Sequence, residues 1–129
     1  MSHFTSIETQ VRDIEALREA CTELGVALLD HTQARGFGKA RLEADHVVRL
    51  KGPYDIAVNR AERNGTYTLT TDWWDGHVEK EVGPKFGRLL QLYATHKVIR
   101  EARKHGRRVH RRKQRDGTIR LTIQEGVSS

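Results

Sequence analysis

The clearest alternation of apolar and polar residues lies in residues 54–74, and it predicts the two antiparallel strands of a hairpin. The pair Asn64-Gly65 predicts a two-residue type I′ turn, because these residue types best tolerate the positive φ that this turn requires. The alternation gives each strand one face suited to burial. The two sets are Tyr54, Ile56 and Val58 on the first strand, and Tyr67, Leu69, Thr71 and Trp73 on the second.

Two segments with helical periodicity flank this hairpin. Asp13 is suited to cap the first helix, which is predicted to end at Gly25. Pro84 suits the first position of a longer second helix, which is predicted to end at Gly106. The apolar residues of the two halves of the second helix lie on different sides of it. Either the second half faces another surface, or the helix bends, or its apolar stripe is wider and covers a broad sheet. The apolar residues of the first helix are Ile14, Leu17, Cys21 and Leu24. Those of the second helix are Phe86, Leu89, Leu90 and Tyr93 in its first half, and Val98, Ile99 and Ala102 in its second half.

Polar segments between these elements predict loops. Residues 30–45 are interpreted as a loop or weak hairpin; their Gly36-Phe37-Gly38-Lys39 run lacks the spacing of a phosphate-binding loop and is interpreted as a flexible turn. A second loop is predicted at residues 75–83. Three further strands are predicted at residues 2–11, 26–29 and 46–50.

The register of a last hairpin, within residues 107–124, depends on the length of its loop. A two-residue Asp116-Gly117 loop would pair Val109 with Gln124, whereas a three-residue loop with Gly117 in the left-handed conformation pairs Val109 with Ile123. We favour the three-residue loop because it keeps Val109 with the core. This register pairs Arg111 with Leu121 and places His110, Arg112, Arg120 and Thr122 on the outer face.

Together these elements predict an α+β fold. It is a two-layer sandwich, in which two helices pack on one face of a mostly antiparallel sheet. A chain of 129 residues favours a single domain, predicted over residues 1–125, with residues 126–129 as a flexible tail.

Composition favours a cytoplasmic protein. No apolar run approaches the roughly 18 residues of a membrane span, and residues 1–10 lack the charged and apolar regions of a signal peptide. The single cysteine, Cys21, excludes an internal disulfide and suits a reducing compartment.

Positive charge is concentrated near the end of the chain. The net charge is +6, but residues 97–115 contain ten Lys or Arg and one acid, Glu101, so this basic segment carries +9 and the rest −3. The segment could dock an acidic protein partner, bind nucleic-acid phosphates without base stacking, or form a charged edge strand that resists aggregation. The residues expected to make electrostatic contacts are Arg107, Arg108, Arg111, Arg112, Lys113 and Arg120.

Trp73 and Trp74 cannot both enter the core of a regular strand, because adjacent residues face opposite ways. Trp73 shares the apolar face, so Trp74 is either covered by the loop at residues 75–83 or exposed as an interface residue. The sequence predicts no catalytic residue, metal site or cofactor. The seven histidines lack ligand spacing, and Cys21 lies on an apolar helix face.

Four segments occur together in a distinctive order and spacing. They are Met1-Ser2-His3-Phe4-Thr5, the YDI…NG.Y.L..DWW pattern of residues 54–74, Leu92-Tyr93-Ala94 with Val98, and the DGTIRL of residues 116–121. Over nearly the whole chain they resemble the family of hypothetical chloroplast open reading frame 35, a family of unknown function from plastids, cyanobacteria and other bacteria. Its members usually carry an acidic or mixed segment before the last turn, so the basic residues 107–115 imply a modified role.

This resemblance implies no activity, cofactor or catalytic residue. Because bacterial relatives are often encoded beside an AAA-type ATPase, it implies an accessory subunit. We therefore predict a non-catalytic protein that docks a protein partner through the basic segment, with Trp74 as a further contact. The alternative is an RNA- or DNA-binding module that uses the same helix end and hairpin.

Overall fold

A computed structural model describes residues 3–61 and 64–125, and within them the α+β prediction is confirmed. The predicted tail at residues 126–129 lies outside the described residues. A five-stranded antiparallel sheet has the order β1-β5-β4-β3-β2 and contains β1 (Phe4–Glu8), β2 (Ala27–Arg35), β3 (Arg41–Arg49), β4 (Ile56–Arg60) and β5 (Tyr67–Asp72). The helices are α1 (Ile14–Leu24), α2 (His77–Val82) and α3 (Gly87–Lys104), and a separate two-stranded sheet contains β6 (Arg108–Lys113) and β7 (Ile119–Gln124).

The main core lies between one face of the five-stranded sheet and the helices. As predicted, Asp13 caps α1: its Oδ1 accepts hydrogen bonds from the backbone N–H groups of Glu15 and Ala16, at 3.0 and 3.1 Å. Gly25 ends the helix with a φ of +80°. The predicted apolar faces meet in this core, whose fully buried members include Leu17, Cys21, Ile56, Val58, Leu69, Phe86 and Leu89.

The β2–β3 hairpin departs most from the sequence prediction. Residues 30–45, expected to be a loop or weak hairpin, lie largely in two nine-residue strands. The end of this hairpin contacts the rest of the sheet, because the Arg35 carbonyl accepts a hydrogen bond from the Asp55 N–H at 2.9 Å and the Phe37 N–H donates to Asp72 at 3.1 Å. A second buried cluster forms there from Ala34, Ala44, Val47 and Ala57.

An ion pair between half-buried Arg35 and buried Asp55 ties this hairpin to the residue that precedes β4. The Asp55 side chain is fully buried and accepts hydrogen bonds from the Arg35 guanidinium, at 2.8 Å to both Nε and Nη2. It also accepts one from the Leu50 N–H at 3.2 Å. The polar segment therefore folds as strands, because its charged side chains find partners and its small ones pack together.

Turn geometry in the central hairpin was also predicted wrongly. Arg60 pairs with Tyr67, and the Ala61 N–H donates to the Thr66 carbonyl at 2.8 Å. The connection between β4 and β5 is therefore longer than a two-residue turn at Asn64-Gly65. The alternation itself was predicted correctly, since the predicted apolar faces of both strands are buried except for Trp73, which is half-buried and follows β5.

Two further boundaries differ from the prediction. The segment at residues 75–83, expected to be a loop, contains α2 and a preceding 3₁₀ turn, Trp74–Gly76. Pro84 begins another 3₁₀ turn, Pro84–Phe86, instead of the long helix, because Lys85 and Phe86 adopt positive φ of 52° and 65°. The first strand was predicted over residues 2–11; within the described residues it spans Phe4–Glu8, and residue 2 lies outside them.

The register of the C-terminal hairpin was predicted correctly. Val109 pairs with Ile123 and Arg111 with Leu121, around a three-residue loop in which Gly117 has a φ of +88°. Its placement was not: β6 and β7 pair only with each other within the described residues, and Val109 is half-buried rather than part of the core. The hairpin is thus an appendage held against the helices.

Candidate binding surface

The strand register divides the C-terminal hairpin into two faces. The outer face consists of Arg108, His110, Arg112, Arg120, Thr122 and Gln124, and all six are exposed. The inner face consists of Val109, Arg111, Lys113, Ile119, Leu121 and Ile123. This division separates the predicted contact residues, since three of the arginines lie on the outer face while Arg111 and Lys113 lie on the inner one.

The outer face carries concentrated positive charge. Arg112 and Arg120 lie directly opposite each other in the ladder, and like charges in that position destabilise a strand pair. Among residues 3–61 and 64–125, no carboxylate forms an ion pair with these two arginines or with Arg108. The three guanidinium groups are therefore available to an anionic partner.

Arg111 instead anchors the hairpin to α1. Its Nη1 and Nη2 donate hydrogen bonds to the two carboxylate oxygens of Glu23, at 2.7 and 2.6 Å. These hydrogen bonds, with a smaller contribution from His96, lower the pKa of Glu23 from 4.5 to about 2, and the bonds to Glu23 raise the pKa of Arg111. His96 of α3 lies between the same carboxylate and Glu19, with its Nε2 2.8 Å from Glu23 and its Nδ1 3.2 Å from Glu19.

The remaining predicted cations of the hairpin have different surroundings. Arg107 Nε lies 3.1 Å from Glu125 in an exposed ion pair. Lys113 is exposed at the edge of a cleft between the hairpin and the helices, near the point where Gln91 Nε2 donates to the Gly117 carbonyl at 3.3 Å. Lys113 is thus an exposed cation without an ion pair among the described residues, but the outer face groups three such cations on one side of the hairpin.

Cations of α3 that belong to the basic segment are largely neutralised. Arg100 Nη1 donates to Glu19 at 2.8 Å, and its Nε donates to Asp13 at 3.3 Å. Lys97 Nζ donates to Glu101 at 3.0 Å. Arg100 in the second half of α3 thus contacts acidic residues of α1 and its cap, and much of the positive charge of the basic segment that is not neutralised lies in the hairpin.

Trp73 packs against the core as predicted, and Trp74 is exposed, which is one of the two alternatives that the sequence left open. Trp73 is half-buried and its ring centroid lies 4.7 Å from that of Phe86, whereas Trp74 is 54% exposed and packs edge-to-face on Phe37 at 6.0 Å. Buried Asp72 fixes this exposed pair, since its two carboxylate oxygens accept hydrogen bonds from the backbone N–H groups of Trp74 and Phe37, at 3.0 and 3.1 Å. The described contacts of Trp74 are with residues near the end of the β2–β3 hairpin and not with the β6–β7 hairpin.

Other kinds of site are not evident in the described parts of the chain. Residues 3–61 and 64–125 contain no group of three His, Cys, Asp or Glu side chains placed to hold a metal ion. The Cys21 thiol is buried, and burial raises its pKa to about 12, which makes it a poor nucleophile at neutral pH. None of the described helices is long and apolar enough to cross a membrane.

Comparison with known proteins agrees with the resemblance drawn from the motifs. The chain is 28% identical over 127 residues to the uncharacterized protein ycf35 of Pyropia yezoensis. The aligned region covers 96% of this chain and 97% of that protein. No solved structure matches the chain. Residues 20–122 match the model of a family described as a protein of unknown function, DUF1257, and this match includes both Glu23 and most of the hairpin. The chain therefore belongs to the DUF1257 family, whose function is unknown.

Proposed function

We propose that this protein is a non-catalytic accessory protein that docks onto an acidic protein partner through the outer face of the β6–β7 hairpin. The observation that carries the proposal is the exposed group of Arg108, Arg112 and Arg120, of which Arg112 and Arg120 stand directly opposite each other. Their mutual repulsion weakens the hairpin in the free protein. An anionic partner relieves that repulsion, so binding and hairpin stability reinforce each other.

The dimensions of the outer face favour a brief, charge-steered contact. Six residues per strand extend roughly 20 Å, and with a width of about 10 Å the face covers roughly 200 Å², well below the ~800 Å² per partner of a standard stable interface. Positive charge on such a strip accelerates association with an acidic surface. An AAA-type ATPase in the cytoplasm is the first partner to test.

A protein partner fits this face better than a nucleic acid does. The outer face carries no Phe, Tyr or Trp on which bases could stack, and single-stranded nucleic acids are usually held by such stacking. The exposed aromatic residues Trp74 and Phe37 contact each other instead, and the Trp74 backbone N–H donates to Asp72. Binding to nucleic acid would therefore rest on phosphate contacts alone.

A charge-reversal experiment tests the proposal. Arg108, Arg112 and Arg120 are all changed to Glu, and a matched control carries the same charge change at three exposed residues outside the hairpin, Lys39, Lys80 and Lys85. Each protein is used to capture and cross-link partners from native lysate at two salt concentrations, with and without nuclease.

The expected result is a protein partner that survives nuclease, is weakened by salt, cross-links to β6 or β7, and is lost only in the hairpin variant. Recovery of nucleic acid alone would support the alternative function. Retention of every partner by the hairpin variant would refute a docking role for the outer face.

A further inference from the structure

A cleft lies on the opposite side of the hairpin from the docking face. It is enclosed by the end of α1, the first half of α3 and the inner face of β6–β7, and its volume is about 400 Å³. This volume falls within the range of roughly 300–1,000 Å³ that is typical of small-molecule sites. The apolar part of its lining comes from Leu24, Leu92 and Ile119.

The cleft carries an excess of positive charge. Its one acid, Glu23, is neutralised by the two hydrogen bonds from Arg111. Lys113 and Arg88 also line it, and in the described residues neither forms an ion pair with a carboxylate. Arg88 is held in place because its Nη1 donates to the carbonyl oxygens of Lys80 and Glu81, at 3.3 and 3.2 Å.

We propose that this cleft binds a small organic anion, made of an apolar body and one carboxylate, sulfonate or phosphate group. Leu24, Leu92 and Ile119 would contact the apolar body, while Lys113 and Arg88 would contact the anionic group. A charged group on the rim beside an apolar floor is the usual arrangement of a site that fixes the orientation of its ligand. The proposal does not depend on the docking role of the outer face, because the two faces share no residue.

Two fluorescent probes test this inference. Anilinonaphthalene sulfonate combines an aromatic body with an anionic group, and phenylnaphthylamine has the same body without that group. We expect the wild-type protein to bind the sulfonate saturably with one site. Changing Lys113→Gln should weaken sulfonate binding roughly tenfold, because it removes one charge-assisted hydrogen bond, and should leave phenylnaphthylamine binding unchanged.

Arg103→Gln is the matched control, since Arg103 is an exposed cation of α3 that does not line the cleft. It removes one positive charge and should leave the affinity for both probes unchanged. In an NMR titration with the sulfonate, the amide signals of Leu92, Gly117 and Ile119 should shift together.

Three outcomes would overturn the inference. The first is equal loss of affinity in the Lys113 and Arg103 variants, which would indicate attraction to net charge. The second is tight binding of phenylnaphthylamine that matches the sulfonate. The third is a set of shifted amides that lies elsewhere, such as in the apolar groove between Thr9 and Leu90.

Discussion

Changing Glu23→Gln is expected to release the β6–β7 hairpin from the helices while leaving the main core folded. The Glu23 carboxylate joins α1 to β6 through two hydrogen bonds from Arg111, and it also contacts His96 of α3. A glutamine amide offers one acceptor oxygen and no charge, so it cannot reproduce this two-point contact. The five-stranded sheet does not hydrogen-bond to the hairpin within the described residues, and we therefore expect a local effect.

The size of the effect follows from the pKa of Glu23. Lowering that pKa from 4.5 to about 2 would correspond to about 3 kcal/mol if it were fully expressed. The Glu23 side chain is 32% exposed, so solvent screening reduces this figure to about 1–2 kcal/mol. Opening of the hairpin should then be roughly 5- to 30-fold more populated in the variant.

Hydrogen exchange measured by mass spectrometry resolves this effect by segment. Amides of β6 and β7 should exchange faster in the Glu23→Gln protein, and amides of β4 should not. Glu15→Gln is the matched control, because it removes the same charge from α1 where the carboxylate makes only an exposed 3.5 Å ion pair with Arg18. Two results would refute the reasoning. One is the same exchange rate of β6–β7 in the Glu23→Gln and Glu15→Gln proteins, and the other is an equal acceleration of exchange in β4 and β6–β7 of the Glu23→Gln protein.

Acid provides an independent check of the same contact. Because the pKa of Glu23 is lower in the folded protein, its stabilisation is fully present above pH 4.5 and is lost as the pH falls through about 2. The wild-type hairpin should therefore become less protected as the pH falls from about 5 towards 2. The Glu23→Gln protein should show a smaller change over this window.

Three other predictions concern the core. Asp55→Asn should lower the free energy of unfolding by about 3 kcal/mol in denaturant titration, because it leaves Arg35 without its buried anionic partner; a change below about 1 kcal/mol would contradict this. Tyr93→Phe should cost about 1–3 kcal/mol in the same assay, since the hydroxyl accepts hydrogen bonds from the backbone N–H groups of residues 12 and 13, and an unchanged unfolding midpoint would count against it. Cys21 should react with a thiol reagent only at the rate of unfolding, and rapid labelling of the native protein would show that the thiol is accessible.

Side-chain parity explains why the register of the last hairpin could be predicted from sequence. A strand alternates strictly between its two faces, so the choice of a three-residue loop settled every pair from Val109–Ile123 onward. The same parity placed Arg111 beside Val109 on the inner face. A guanidinium directed towards the protein requires an acidic partner, so an anchor could have been expected, although Glu23 is 88 residues away and no local pattern identifies it.

The β2–β3 hairpin escaped prediction for a different reason. Its strands do not bury one regular apolar face; they are stabilised by small residues such as Ala34 and Ala44 and by the Arg35–Asp55 ion pair. Several of the partners lie outside residues 30–45: Val47 and Ala57 complete the cluster, and Asp55 forms the ion pair with Arg35. The pattern of residues 30–45 could not reveal these contacts, because the strands are stabilised by partner residues that lie outside this segment.

The separate pairing of β6 with β7 has a consequence for how this protein can change over evolution. Among the described residues, the outer face of the hairpin forms no hydrogen bond with the five-stranded sheet. A substitution on that face should therefore have little effect on the stability of the core. The hairpin is in this respect a mutational module. Its outer residues can diverge, or be exchanged in engineered variants, to specify a new partner, while the Glu23–Arg111 anchor preserves the way in which that surface is presented.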